Sequence, residues 1–293
     1  MKRFYLIVIS TIILIIFMCS CNSSDVTDTQ SFITGSTGAE PTNPIIPSYD
    51  VPPSTSVLMS DPTIPSSSAC LIHYLDCDPG SYQFTFKSDR YYEQMTYWLL
   101  VPENAQHEMP LIIFLHGLGE LGKISEMENF GMIEMAREIY GESYPFIALN
   151  PCLPSHDWTY GNYPALLKEL IDYICMEYSI DPDKIILTGH SLGSIGTWHM
   201  LSLYGDYFSC AVPVSCGYDG FLNYDNLAKV PILAFAGDGD EHELGYQVGM
   251  NYIISYINQF GGCAELKILE GQHHGMTKTG AYSTEVFEWM LSQ

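Results

Sequence analysis

The chain has 293 residues, of which 47% are hydrophobic, and a formal net charge of −23. That apolar content excludes a disordered protein, and the charge excludes nucleic acid and anionic membrane surfaces as electrostatic partners. Past its N-terminal region the length suits one α/β domain with a full core.

The first residues read as a targeting segment. Met1-Lys2-Arg3 is basic, Leu6 to Met18 is almost wholly apolar, and Cys19-Ser20-Cys21 follows. This is the order of a secretory signal. It resembles a bacterial lipoprotein signal over residues 1–20, with Cys21, preceded by the small Ser20, as the lipidated residue. The apolar run is short for a span of ~20 residues, which argues against an uncleaved membrane helix. The chain is therefore expected to be exported and held at the cell surface of a bacterial membrane through that lipid alone. Residues 21–68 are rich in Ser, Thr and Pro and read as a tether. Residues 69–293 are left as the folded domain. Export permits disulfides, and Cys70–Cys77 is the nearest plausible pair. No C-x-x-C pair occurs, so neither a structural zinc site nor any other metal or cofactor is expected.

Within the domain, Ser81–Phe86 alternates and reads as an edge strand, and Met95–Val101 reads as a second, stopped by Pro102. Leu111–Leu115 and Phe146–Leu149 are continuous apolar runs of the kind found in strands covered on both faces. Between them, His116-Gly117-Leu118-Gly119 follows a strand directly. Glycines let such a loop pass close to a substrate carbonyl, and the Leu118 N–H is a candidate oxyanion donor. His116 is expected to bond the loop rather than act as a base. Trp158 and Tyr160, after the fourth strand, are candidate platforms for a substrate ring or chain. Packing of a long loop explains them equally well.

Leu166, Leu167, Leu170, Ile171 and Ile174 recur at helical spacing. Ile185–Leu187 is the next buried strand, and it leads into Gly189-His190-Ser191-Leu192-Gly193. Ser194–Leu201 then reads as a helix. A G-x-S-x-G pentapeptide between strand and helix is a nucleophile elbow, which lifts the serine above the sheet. The Leu192 N–H, at the helix start, is the second candidate oxyanion donor. Ala211–Val214 and Pro231–Ala236 are further buried strands. After the latter stand Asp238 and Asp240, and the spacing from Gly237 favours Asp240 as the acid that orients a base. A helix with Val248, Tyr252, Ile253, Tyr256 and Ile257 follows, then the strand Ala264–Leu269. His273 and His274 come next. His274 is favoured as the base because Gly275 leaves room for its ring, and His273 is the alternative. Val286, Phe287, Met290 and Leu291 suggest a closing helix.

Apolar strands alternating with helices imply a mostly parallel central sheet with helices on both faces, an α/β fold. Function in such sheets gathers at the carboxyl ends of the strands, where every candidate above lies. The order Ser191, Asp240, His274 suits acyl transfer: the histidine takes the serine proton and the carboxylate steadies the imidazolium.

From Tyr92 to Leu291 the chain resembles exported esterases of the α/β-hydrolase superfamily. Feruloyl and acetyl-xylan esterases, polyhydroxybutyrate depolymerases and the phospholipase/carboxylesterase group belong to that company. Tyr97-Trp98-Leu99-Leu100-Val101-Pro102, Pro110 to Gly117, Ile180-Asp181-Pro182-Asp183-Lys184-Ile185, Gly189 to Gly193 and Glu288 to Leu291 carry the resemblance. It implies an α/β-hydrolase fold and the triad Ser191, Asp240 and His274. It further implies a serine carboxylic-ester hydrolase acting on small-molecule or polysaccharide-linked esters. A peptidase or amidase would share the triad. A binding protein on a hydrolase scaffold is a third reading, against which the intact residue order stands.

Overall fold

The computed structural model describes residues 78–106, 108–239 and 241–293. The signal at 1–20, Cys21, the tether at 21–68, the Cys70–Cys77 pair and Asp240 lie outside the described residues. The five cysteines within them, Cys152, Cys175, Cys210, Cys216 and Cys263, are free thiols.

Among the described residues eight strands form one sheet. In chain order they are β1 (Gly80–Lys87), β2 (Gln94–Val101), β3 (Met109–Leu115), β4 (Ile147–Cys152), β5 (Ile180–His190), β6 (Cys210–Val214), β7 (Ile232–Gly237) and β8 (Ala264–Leu269). Their order across the sheet is β1-β2-β4-β3-β5-β6-β7-β8. β2 runs antiparallel to both β1 and β4, and every pairing from β4 to β8 is parallel. The helices are α1 (Met132–Tyr140), α2 (Tyr163–Glu177), α3 (Leu192–Tyr204), α4 (Tyr224–Leu227), α5 (Glu241–Gln259), α6 (His274–Gly280) and α7 (Thr284–Ser292).

The continuous apolar strands are covered on both sides, as their sequences require. Along β3, Leu111, Ile113 and Leu115 enter one core with Leu170 of α2, Trp198 of α3 and Ile257 of α5. Ile112 and Phe114 enter the opposite core with Ile133 of α1 and Phe287 of α7. β8, at the sheet edge, has no fully buried residue, in keeping with its mixed sequence.

The structure extends two elements beyond the sequence reading. β5 begins at Ile180, because Met109 pairs with Ile180 across a register shift before Leu111 meets Ile185. His274 opens a seven-residue helix rather than lying in a loop. The parallel register brings the ends of β3, β5, β7 and β8 to one edge, where the candidate site is built.

Candidate active site

Ser191 stands between β5 and α3 with φ 58° and ψ −116°. Only a few per cent of non-glycine residues have positive φ, and the strain of such a residue is of order 1–3 kcal/mol. The surroundings enforce it. A Cβ on Gly189 would strike the Gly193 carbonyl, and one on Gly193 would strike that of Leu115. The two glycines therefore let strand and helix close around the turn. The Ser191 N–H donates to the Val214 carbonyl at 3.0 Å, tying the elbow to β6.

His274, the first residue of α6, meets the serine. Its Nε2 is 2.9 Å from Ser191 Oγ, and its Nδ1 is 2.7 Å from Glu243 Oε1. A carboxylate only accepts, so Nδ1 carries the proton and Nε2 is free to accept from the serine hydroxyl. The geometry selects His274 over His273, whose carbonyl instead receives the N–H groups of Met276 and Thr277 at the start of α6.

The sequence favours Asp240 as the acid, and Asp240 lies outside the described residues. Among the described residues the carboxylate on the base is Glu243, the third residue of α5. The helix starts directly after β7 and folds Glu243 back over the strand end, where its other oxygen accepts the Gly237 N–H at 2.7 Å. The side chain is 0% exposed. Burial alone raises the pKa of such a carboxyl. The hydrogen bonds from His274 and Gly237 outweigh it and hold Glu243 below its usual range. A glutamate in the first turn of a helix after a strand was the available signal, since a helix N-terminus favours a negative side chain. The competing Asp238 is engaged elsewhere: its Oδ1 accepts the Gly271 N–H at 2.6 Å.

Two backbone segments flank the serine. The Gly117–Leu118 peptide passes close by, for a Cβ on Gly117 would lie 3.5 Å from Ser191 Cβ. Leu192 is the first residue of α3. The opening N–H groups of a helix have no partner within it and suit a developing anion. Leu118 opens a short 3-10 turn and is 66% exposed.

Two histidines brace this arrangement. His116 is fully buried; its Nδ1–H donates to the Gly117 carbonyl at 2.7 Å and its Nε2 accepts the Leu153 N–H at 3.0 Å. It bonds the loop, as the sequence suggested. His190 places Nε2 2.8 Å from the His274 carbonyl, and burial lowers its pKa to about 4.

The two aromatic candidates part company. Trp158 is only 1% exposed, packs on Gly196 and donates from its indole nitrogen to the His116 carbonyl at 3.0 Å. It is a core residue that props up the loop, and the substrate role expected for it is withdrawn. Tyr160 remains 53% exposed with its ring stacked on His156 at 3.9 Å between centroids.

No protein-family model matches the chain. It is 27% identical over 124 residues to a poly(3-hydroxyalkanoate) depolymerase C of Paucimonas lemoignei, covering 40% of this chain and 30% of that protein. It is 25% identical over 163 residues to a bifunctional acetylxylan esterase/xylanase of Neocallimastix patriciarum, covering 54% of this chain and 23% of that one. The matches thus span less than a third of the length of these curated relatives. Among solved structures, a thermostable esterase superposes with a TM-score of 0.64 at 24% identity, over 73% of this chain and 63% of that one. With the strand order and the elbow, this decides the architecture. The chain has the α/β-hydrolase fold. In that fold the nucleophile stands on the sharp turn after a central strand and the histidine after the last strand. Ser191 and His274 occupy those two places.

Proposed function

We propose that this α/β-hydrolase-fold protein is a serine hydrolase that cleaves carboxyl esters through an acyl-enzyme on Ser191. The observation that carries the reading is the unbroken relay from Glu243 through His274 to Ser191, with separations of 2.7 and 2.9 Å.

In the first half of the reaction His274 Nε2 takes the hydroxyl proton as Ser191 Oγ attacks the acyl carbon. The carbonyl oxygen becomes an oxyanion held by the N–H groups of Leu118 and Leu192. One such donor contributes roughly 3–4 kcal/mol to the transition state. The protonated His274 then gives its proton to the leaving alcohol oxygen as the ester C–O bond breaks. In the second half water attacks the acyl-enzyme, losing a proton to His274, and the carboxylic acid leaves as Ser191 regains its hydrogen. Glu243 stays ionised throughout and steadies the imidazolium.

Esters linked to polysaccharides are the substrate class that the acetylxylan esterase among its relatives suggests. Export and lipid attachment at Cys21 belong to the same reading, since such polymers are met outside the cell. Mass spectrometry of the N-terminal peptide from a membrane fraction checks the lipid.

The reading is tested by labelling with an active-site fluorophosphonate, together with matched ester and amide substrates. The expected result is labelling of the wild type, none of Ser191→Ala, and turnover of the ester far above the amide. An unlabelled wild type overturns the hydrolase reading; preference for the amide overturns the ester assignment.

A further inference from the structure

Helix α5 presents an uncovered apolar ridge. Leu244, Val248, Tyr252, Tyr256 and Phe260 follow one another at intervals of four residues and are between 46% and 66% exposed. Phe260 directly follows the helix, and its N–H still bonds the Tyr256 carbonyl at 3.0 Å. Side chains at that spacing form one row along a helix, here about 24 Å long. Phe221, 89% exposed, stands beside the row. The loop that carries it is held along α5 on either side. A Cβ on Gly217 would lie 3.1 Å from the Gly249 carbonyl carbon, and the Tyr224 ring is 5.3 Å from that of Tyr256. Six large apolar side chains thus share one face, which is the mark of an interaction surface rather than of scattered exposure.

The same face lacks charge. From Leu244 to Phe260 the chain has no Asp, Glu, Lys or Arg, although it holds 34 acidic residues in all. The exposed Asn251, Ser255 and Gln259 beside the row are polar but neutral. A helix that faced only water would carry charged residues there. The core of a protein–protein interface is instead depleted of charge and enriched in Tyr and Phe.

Charge and shape together name the occupant. Two copies of a chain with net charge −23 repel each other over most of their surfaces, and a stretch without carboxylates is where they can meet. The face also carries both halves of a helix–helix contact. Gly245 and Gly249 stand one turn apart beside the ridge, and a Cβ on either would meet nothing within 4 Å. Packing within this chain therefore does not call for glycine, although each costs the helix roughly 0.5–1 kcal/mol relative to alanine. The two glycines floor a groove between the ridge and the loop after β6. A row of side chains four residues apart packs into such a groove on a second helix, with the axes crossing at about 50°. Ridge and groove on one helix are what a two-fold interface needs, since each copy offers the other the same patch. The exposed parts of the six side chains come to on the order of 600 Å², most of the ~800 Å² per partner of a standard interface, and the neutral polar rim adds to it.

We infer that this face is the interface of a two-fold homodimer, with the α5 ridge of each copy seated in the glycine-floored groove of the other. The inference stands apart from the ester-cleaving reading and survives its failure.

The test places the photo-crosslinking residue p-benzoylphenylalanine at Asn251 of the full chain, within the cells that produce it. A second chain carries it at the exposed Glu138 of α1, on the opposite side of the sheet. Irradiation is expected to give a species of twice the chain's mass from the Asn251 site and none from Glu138. Mass spectrometry of that species should find the link to α5, or to the loop after β6, of a second copy. Adding Val248→Glu, which brings a like charge from each copy into the interface, should cut the yield at least tenfold. Gly249→Leu should do the same by filling the groove, with a residue that favours the helix. Both variants should keep the circular dichroism of the wild type, since neither site faces the core. A link to lipid, a link to a different protein, or no link overturns the inference. So does a dimer band that arises equally from Glu138 or survives either variant.

Discussion

His190 Nε2 lies 2.8 Å from the carbonyl oxygen of His274, so the residue before the nucleophile holds the backbone of the base. A carbonyl only accepts, which fixes the proton on Nε2. The rings are 4.9 Å apart, and His190 is only 6% exposed. Elbow and base helix are thereby fastened to each other at the point where their side chains must meet.

This contact has a cost that depends on pH. Burial depresses the His190 pKa from 6.5 to about 4. Between those values the unfolded chain binds a proton that the folded protein refuses, so this residue makes stability fall as pH falls from 6.5 to 4. The full effect is of order 3 kcal/mol. Denaturant unfolding of wild type and His190→Gln at pH 7.5 and 4.5 should show the wild type losing more stability on acidification. Equal losses would mean that His190 is not buried as a neutral ring.

Glu243 and Asp240 make opposed forecasts. Glu243→Gln keeps the shape of the side chain but cannot hold the imidazolium, and kcat on p-nitrophenyl acetate should drop by roughly 10²–10⁴. Asp240→Asn should retain activity within about threefold. The reverse pattern would restore the acid that the sequence alone favours.

The positive φ of Ser191 stores strain that catalysis requires and stability does not. Ser191→Gly should unfold at higher denaturant than Ser191→Ala, by about 1 kcal/mol, even though glycine loses more backbone entropy on folding. Both variants should be inactive. An alanine variant as stable as the glycine one would show that the turn is not strained.

How legible the site was from sequence depended on how local each signal is. Ser191 and His274 could be read because a strand, a turn and a helix announce the serine, and a histidine after the last strand has few rivals. The buried strands β3, β4, β6 and β7 announced themselves as unbroken apolar runs. Glu243 could not be read in the same way. Its role depends on how the first turn of α5 packs over the end of β7, while the Asp-Gly turn before it has the more familiar composition. Trp158 carried the right chemistry for a platform, but Gly196 and the His116 carbonyl bury it, and neither is near it in sequence. The helix opened by His274 has no apolar periodicity in His-Gly-Met-Thr-Lys-Thr-Gly to reveal it.

Helix α5 carries Glu243 near its start, and within its next two turns Gly245, Tyr246 and Gly249 line a neighbouring cavity of about 550 Å³. One rigid body therefore serves both the proton relay and the shape of the neighbouring space. Any shift of that helix that widened the space would drag the carboxylate off the base. Any change in the width of that space would then have to proceed through side chains on the loop after β6, with the helix as a fixed wall.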